Sequence, residues 1–447
     1  MKNYDSKFTL PTDNFWPALP DRVVVLENEV KELSETPSAI ATNGTSLYST
    51  NPLAGESINT NNSIILGTNA GGNTLNADSS IFLGAYAGNN ATESWSSTFI
   101  GTGAGANATY AYSSNFIGSQ AGNGATNAYG SNFLGLNVGN SATNANNSNF
   151  IGYYAGINAS GANDSNFLGR YAGYDATGSF NSNFLGREAG YLASAAFLSN
   201  FLGYYAGSEA TNAYYSNFLG YRAGERATNA HNSNFIGDSA GLIATDATES
   251  NFIGSNAGTL ATSAYQSNFL GPSSGSSATN AYNSNFIGYG AGYAATNANN
   301  SNFLGCNSGY GANNASYCTF IGNNTGKSFT ANNVGTNNII IGTNISLPNG
   351  SVNKLNIGGL LFGTNTYSTL TGNPSVIPAT NGKIGIGVES PTANLDIAAS
   401  TTASALMRLR VGTAPTSPND GDVWLESNTD TGLKIRINGN TRTITLS

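Results

Sequence analysis

From Gly67 to Gly322 a glycine preceded by Ile or Leu returns every 17 residues, sixteen times, without one insertion or deletion. A second glycine follows each of them four residues later, from Gly71 to Gly326. The residue before the Ile or Leu is Phe in fifteen of the sixteen copies, the exception being Ile65. Surface loops tolerate insertion at little cost, so strict spacing means that most of each repeat is packed or hydrogen-bonded to its neighbours. Seventeen residues are too few for a helix-turn-helix repeat, which needs about 33. Two glycines per repeat also oppose helix, by roughly 1 kcal/mol each relative to Ala. Short strands joined by glycine-permitted turns fit better. The expected fold is all-β: a parallel β-solenoid or β-roll of 17-residue coils that rises about 4.8 Å per coil, a rod on the order of 75 Å long.

The columns of such a solenoid can be read directly. Asn precedes Phe in twelve successive coils, Asn115 to Asn302, and stacked asparagines can hydrogen-bond along the axis as a ladder. Ala stands seven residues after the first glycine in most coils, as at Ala125, Ala142 and Ala159, which implies a narrow interior. Phe and Ile/Leu are adjacent, and neighbours on a strand point to opposite faces. One column therefore fills the core and the other forms an apolar stripe along the rod. That stripe exceeds the few hundred Å² that soluble monomers usually expose, so self-association is expected to bury it. A distorted coil that takes both columns inside is the alternative. The Phe column, Phe116, Phe133, Phe150, Phe167, Phe184, Phe201, Phe218, Phe235 and Phe252 through its centre, is thus a core or a trimer-interface column.

Composition narrows the partners. Only 9% of residues are charged, against roughly 25% in ordinary soluble domains. Sixteen Lys and Arg stand against 24 Asp and Glu, a net charge of −8. A net negative charge argues against nucleic acid and anionic membranes as partners, since both reward basic surfaces. No apolar run reaches the ~18–20 residues of a membrane span, and the segment after Met1 and Lys2 does not read as a signal peptide. The chain is expected to be made in the cytosol and to leave it inside a larger particle, if at all. Cys306 and Cys318 read as free thiols.

The flanks divide the chain. Residues 1–20 contain Phe8, Phe15 and Trp16 in an aperiodic, proline-containing peptide that reads as a docking segment, ordered by what it binds. In 21–34, Val23, Leu26, Val30 and Leu33 follow the spacing of a short parallel coiled coil, or of an ordinary amphipathic helix. Residues 35–60 read as a linker, 61–326 as the solenoid, and 327–380 as irregular repeats, with Ile339–Gly342 one more copy and Leu355–Gly358 a weaker one. A Gly-Ile-Gly linker occupies 381–400. The stretch 401–447 is a β module that can cap the solenoid, with a hairpin turn at Asn438-Gly439.

The array Ser-Asn-Phe-Ile/Leu-Gly-x-x-Ala-Gly resembles the head repeats of trimeric autotransporter adhesins, whose shorter Ile-Gly-x-x-Ala coils form a left-handed parallel β-roll. Over about residues 61–447 the chain also resembles bacteriophage tail and head fibres. It shares with them the Asn-Phe-Ile-Gly array, the Gly-Ile-Gly-Val-x-Ser-Pro-Thr-Ala-x-Leu linker (Gly385 to Leu395) and the C-terminal Gly-Asp-Val-Trp hairpin module. The resemblance implies a homotrimeric virion fibre, joined to other virion proteins by its N-terminus and contacting a host-surface glycan or protein. By analogy with the adhesin heads, Ile/Leu is expected inside each coil and Phe toward the neighbouring chains. A non-binding spacer or decoration fibre and a bacterial surface adhesin stay open as alternatives.

Catalytic constellations are sparse. The one histidine, His231, sits at a variable repeat position and reads as a solvent-facing side chain. No Cys/His cluster has metal-ligand spacing, and Asn419–Asp422 is too short for a calcium loop and reads as a turn. No cofactor is implied. Glycoside hydrolysis needs two carboxylates roughly 5–9.5 Å apart. Glu209 and Glu225 are the best pair, but Arg226 beside them points to a surface ion network. The chain therefore reads as a non-enzyme, with a polysaccharide-cutting spike as the opposing case. Candidate receptor contacts are the varied residues after the first glycine: Tyr153, Tyr154, Tyr171, Tyr204, Tyr205, Tyr221 and Arg222. Tyrosine there suits stacking on sugars, or simply covers a surface poor in charge. The recurring Ala-Thr-Asn-Ala could form a hydroxyl array of the ice-binding kind.

Overall fold

The computed structural model describes the backbone of residues 40–43 and 46–49 and residues 61–328, 333–366, 381–402, 405–426 and 432–444. The expected docking segment and coiled coil, with Phe8, Phe15, Trp16, Val23, Leu26, Val30 and Leu33, lie outside the described residues. No helix occurs among the described residues. Strands of three residues recur every 17 residues from Ile64–Leu66 to Thr319–Ile321. Each pairs in parallel with the next, Phe opposite Phe from Phe82 onward and Asn opposite Asn from Asn115 to Asn302. The array is a parallel β-solenoid. Centroids of successive Phe rings lie 4.7–4.8 Å apart through most of it, the expected advance per coil.

The coil Ser199–Tyr215 shows why its length cannot vary. Its N–H groups at Asn200, Gly207 and Thr211 donate to Ser216, Ala223 and Ala227 of the next coil. Those at Gly203, Tyr205, Glu209, Asn212 and Tyr215 donate to Leu185, Arg187, Tyr191, Ser194 and Phe197 of the preceding one. Axial bonds thus leave the backbone around the whole circumference, in both directions. The Ser column closes the ring: Ser199 Oγ donates to the Ala213 carbonyl of its own coil at 2.7 Å and accepts from the Ser216 N–H at 3.1 Å. An inserted residue would misplace all of these partners at once, and buried backbone groups without partners are costly.

The interior corrects one expectation. Phe201 and every other Phe of its column are wholly buried, whereas Leu202 is 36% and Ile253 40% exposed. The expected placement, Ile/Leu inside and Phe outside, is reversed. The strand has only three residues, so one side chain points in, and its parity groups Phe with the buried Ser and Ile/Leu with the Asn ladder. The cross-section holds one Phe, one Ser and three small residues, Ala206, Ala210 and Ala213 in the reference coil. The interior is as narrow as the alanines imply. Rings stack nearly parallel except between Phe150 and Phe167, where the planes meet at 75°.

Tight turns explain the composition. The reference coil takes left-handed backbone at Tyr205, Gly207, Glu209, Asn212 and Tyr215. Asn tolerates that region better than most residues, and it recurs there, as at Asn127, Asn144, Asn229 and Asn297. Only glycine serves at Gly207. Its φ is +62°, and a Cβ there would lie 2.3 Å from Cδ2 of the Phe201 ring. At Gly203 a Cβ would lie 2.3 Å from the carbonyl oxygen of Gly220. One glycine admits the core ring and the other admits the next coil.

The array continues at both ends. Ile40–Asn43 and Ser46–Ser49 form an antiparallel hairpin whose second strand pairs in parallel with Ile64–Leu66. The stretch 35–60 is therefore not all linker; it supplies the first rung. Ile339–Ile341 pairs in parallel with Thr319–Ile321, as expected for a further copy. Its three extra residues enter between Ser328 and Asn333, because Ser328 still bonds Tyr310 and Asn333 still bridges Asn313.

The chain divides into two compact units at Asn353. In the second, Lys354–Ile357 pairs antiparallel with Leu361–Thr364, so Leu355–Gly358 also opens a hairpin. Lys383–Ile386 and Leu395–Ile397 pair in parallel. Val411–Gly412, Val423–Glu426, Leu433–Ile437 and Asn440–Ile444 form a four-stranded sheet. The last two strands meet at Asn438-Gly439, both left-handed, as a two-residue hairpin turn requires.

Two measurements follow. Gly207→Ala should cost roughly 2–5 kcal/mol in urea unfolding, from left-handed strain and displacement of the Phe201 ring. Ala294→Asn, at a left-handed alanine with φ +52°, should instead be neutral or stabilise by up to about 1 kcal/mol. Cys318 replaces serine in the buried column, and burial pushes its thiol up to about 12. At pH 8 it therefore stays protonated and enclosed, while half-buried Cys306 lies on a side open to reagent. Native protein should consume one equivalent of a thiol reagent per chain, and urea-unfolded protein two.

Candidate binding surface

Three strips run along the solenoid. The first carries the outward residues of the strands. Asn115 to Asn302 form an unbroken amide ladder, each Nδ2 donating to the Oδ1 of the next asparagine, at 2.8 Å from Asn200 to Asn217 and from Asn217 to Asn234. Beside it stands the Ile/Leu column. An open groove of about 770 Å³ follows both columns from Asn149 to Ile236. Neither column contains a charged residue in any of the sixteen coils. With two columns about 7 Å apart and a rise of about 4.8 Å per coil, the strip covers on the order of 500 Å².

The second strip holds the candidate receptor contacts. Tyr153, Tyr154 and Tyr171 pack together, with ring centroids 4.1 Å apart for Tyr153–Tyr154 and 5.4 Å for Tyr154–Tyr171. Tyr204 packs against Tyr205 at 4.2 Å and stacks on Tyr221 at 5.5 Å. Arg222 donates to Glu225, 2.5 Å away. Two residues that the sequence did not flag join the first group: Tyr174 and Tyr191, stacked at 5.3 Å, with Tyr171 edge-on to both. Their signal was a tyrosine recurring three residues beyond the varied pair.

Charge concentrates on this strip. The four arginines between residues 61 and 326 all fall within Arg170–Arg226. Arg187 bonds Glu188 at 3.1 Å and lies over the Tyr204 ring; Arg226 meets Glu209 at 3.6 Å. Hydrogen bonding to Tyr204 and then to Glu188 pushes the Tyr205 hydroxyl well above a tyrosine's ordinary range. A hydrogen bond to Tyr154 raises Tyr153, and burial raises Tyr174 and Tyr191. The phenols thus stay neutral and able to donate. Glu209 and Glu225, the carboxylates considered for hydrolysis, are each held by an arginine, as a surface ion network requires.

The third strip was not legible as a stack. Trp95, Tyr112 and Tyr129 stack at 4.7 and 5.0 Å, and Phe180, Phe197, Tyr214 and His231 form a second pile. His231 is therefore no free solvent-facing side chain: its ring lies 4.5 Å from Tyr214 and its Nε2 3.3 Å from the Thr248 hydroxyl. The signal was an aromatic residue two places before the buried serine, at the same 17-residue spacing. Next to it the hydroxyls from Thr143 to Thr296 stand in axial register, a single column one residue wide. No group of three or more His, Cys, Asp or Glu able to hold a metal occurs among the described residues. Comparison with protein-family models and with curated proteins gives no match.

Proposed function

We propose that the chain is the shaft of a homotrimeric virion fibre that attaches by its N-terminal segment and contacts host-surface glycan without cutting it. One observation supports the oligomer most: the uncharged Ile/Leu column beside the Asn ladder. Its area, on the order of 500 Å², approaches the roughly 800 Å² that one partner buries in an ordinary protein–protein contact and lies toward the upper end of the apolar patches that monomers leave open. Three parallel chains related by a cyclic axis can each cover the next one's strip along its whole length. In this reading the role falls to Ile/Leu, whose side chains are partly exposed, with Phe left to the core. The virion assignment is supported by the resemblance of residues 61–447 to phage fibres. Contact without cleavage is supported by the clustered tyrosines and by the engagement of both candidate carboxylates with arginines.

Light scattering on the purified chain should give a mass three times that of one chain. Replacing Leu185, Leu202 and Leu219 by lysine, which leaves the Phe core untouched, should lower that mass while the β-sheet circular dichroism stays. A stable monomer from the unaltered chain would overturn the proposal.

A further inference from the structure

The tyrosine–arginine strip carries an unmatched cation. Three of its four arginines are neutralised within the chain, by Glu188, Glu225 and Glu209. Arg170 is not. Its guanidinium carbon sits over two rings, 5.1 Å from the Tyr171 centroid and 5.6 Å from that of Tyr153. No carboxylate lies within ion-pair distance of it among the described residues, its side chain is exposed, and its N–H groups donate to no group of the chain described here. The nearby acids are engaged elsewhere, Asp175 by Asn158 and Glu188 by Arg187. Two tyrosine rings thus fix a planar fork of donors in place and leave its hydrogen bonds unmade.

From this we infer that the strip binds an acidic saccharide, with Arg170 pairing to a carboxylate or sulfate on the sugar and the rings of Tyr153, Tyr171, Tyr204 and Tyr221 stacking on its neutral faces. This rests on the reading of the strip as a glycan contact and names the class of glycan. The chemistry fits the residues present. A guanidinium matches planar carboxylate and sulfate oxygens two at a time. A ring-held fork loses less freedom on binding than a free one. Tyrosine supplies apolar faces beside phenol donors, the surface that a sugar ring presents in reverse. The strip's other three arginines are paired with carboxylates, and its remaining acids, Asp175 and Asp238, are bonded by the neutral Asn158 and Ser239, so among the described residues Arg170 is the one cation on it without a carboxylate. The chain as a whole is acidic, with a net charge of −8. Capture of an anion must then come from this local arrangement and not from a broad basic field, and added salt should weaken it.

The test is a panel of oligosaccharides in which each uronate, sialylated and sulfated member is printed beside its carboxyl-reduced or desulfated neutral counterpart. It is probed with the full chain, Arg170→Gln, Arg170→Lys and Tyr221→Ala. Expected is binding to carboxylated or sulfated members, at least about tenfold weaker to the neutral counterparts. Arg170→Gln should lose that preference and Arg170→Lys recover part of it, because it restores the charge without the fork. The carboxyl-reduced and desulfated arms show which anion is preferred. Equal binding to acidic and neutral members, still lost in Tyr221→Ala, would overturn the acidic ligand and leave glycan contact standing. Unchanged binding by Arg170→Gln would overturn it as well. Binding to no member would remove both.

Discussion

Axial hydrogen bonding is the constraint on which the rest of the structure depends. Each coil must present its N–H and carbonyl groups to the coils on either side at fixed points around its circumference, and buried serines tie the end of one turn to the start of the next. Seventeen residues close the ring; one more or fewer would strand polar backbone in an interior lined mainly by Phe, Ser and Ala. Other features follow from that closure. A ring so short must turn sharply, so left-handed residues recur at fixed places, and Gly and Asn accumulate there. Because every coil repeats the last, each side chain meets its own kind 4.7–4.9 Å further along, and columns of Phe, Asn, Ser and Tyr become stacks and ladders.

Much of this was legible in the sequence because register is a property of spacing. The period, the parallel pairing, the Asn ladder, the alanine-lined interior and the Asn438-Gly439 hairpin all rest on residues at fixed intervals. The side of the strand was harder. Phe and Ile/Leu are both large and apolar, and hydrophobicity alone does not say which faces inward. Parity does: Asn200 and Leu202 lie two residues apart on one strand, so a solvent-edge Asn ladder places Leu202 outside with it and Phe201 inside. Gly207 gives the same answer, since a glycine is needed where an aromatic ring presses on the backbone.

The tyrosine–arginine strip was only half legible, for a physical reason. Varied tyrosines after the first glycine announce themselves, but whether they stand apart or pack together depends on how the turn splays successive coils. Tyr174 and Tyr191 come from a different part of the coil and close over Tyr171 only in three dimensions. The aromatic pile of Phe180, Phe197, Tyr214 and His231 is a matter of spacing and was open to the same periodic reasoning. It stayed hidden because its members change identity from coil to coil. Conversely, the scaffold beneath these strips does not change: the Phe stack and serine ties hold the varied side chains at a constant pitch, which lets a monotonous fold carry one local, charged and aromatic surface among long uncharged ones.

The central claim is that the Ile/Leu column, exposed on one chain, is covered by another. The most direct measurement places a spin label on it. In a chain with Cys306 replaced by serine, Leu202→Cys and Tyr221→Cys are each labelled and their mobility is read by electron paramagnetic resonance. Both positions are open to solvent on a single chain, 36% and 49% exposed. A covered stripe predicts an immobilised label at residue 202, coupled to its counterparts on neighbouring chains, and a mobile label at 221. Equal and unhindered mobility at the two positions, with the β-structure intact, would contradict it.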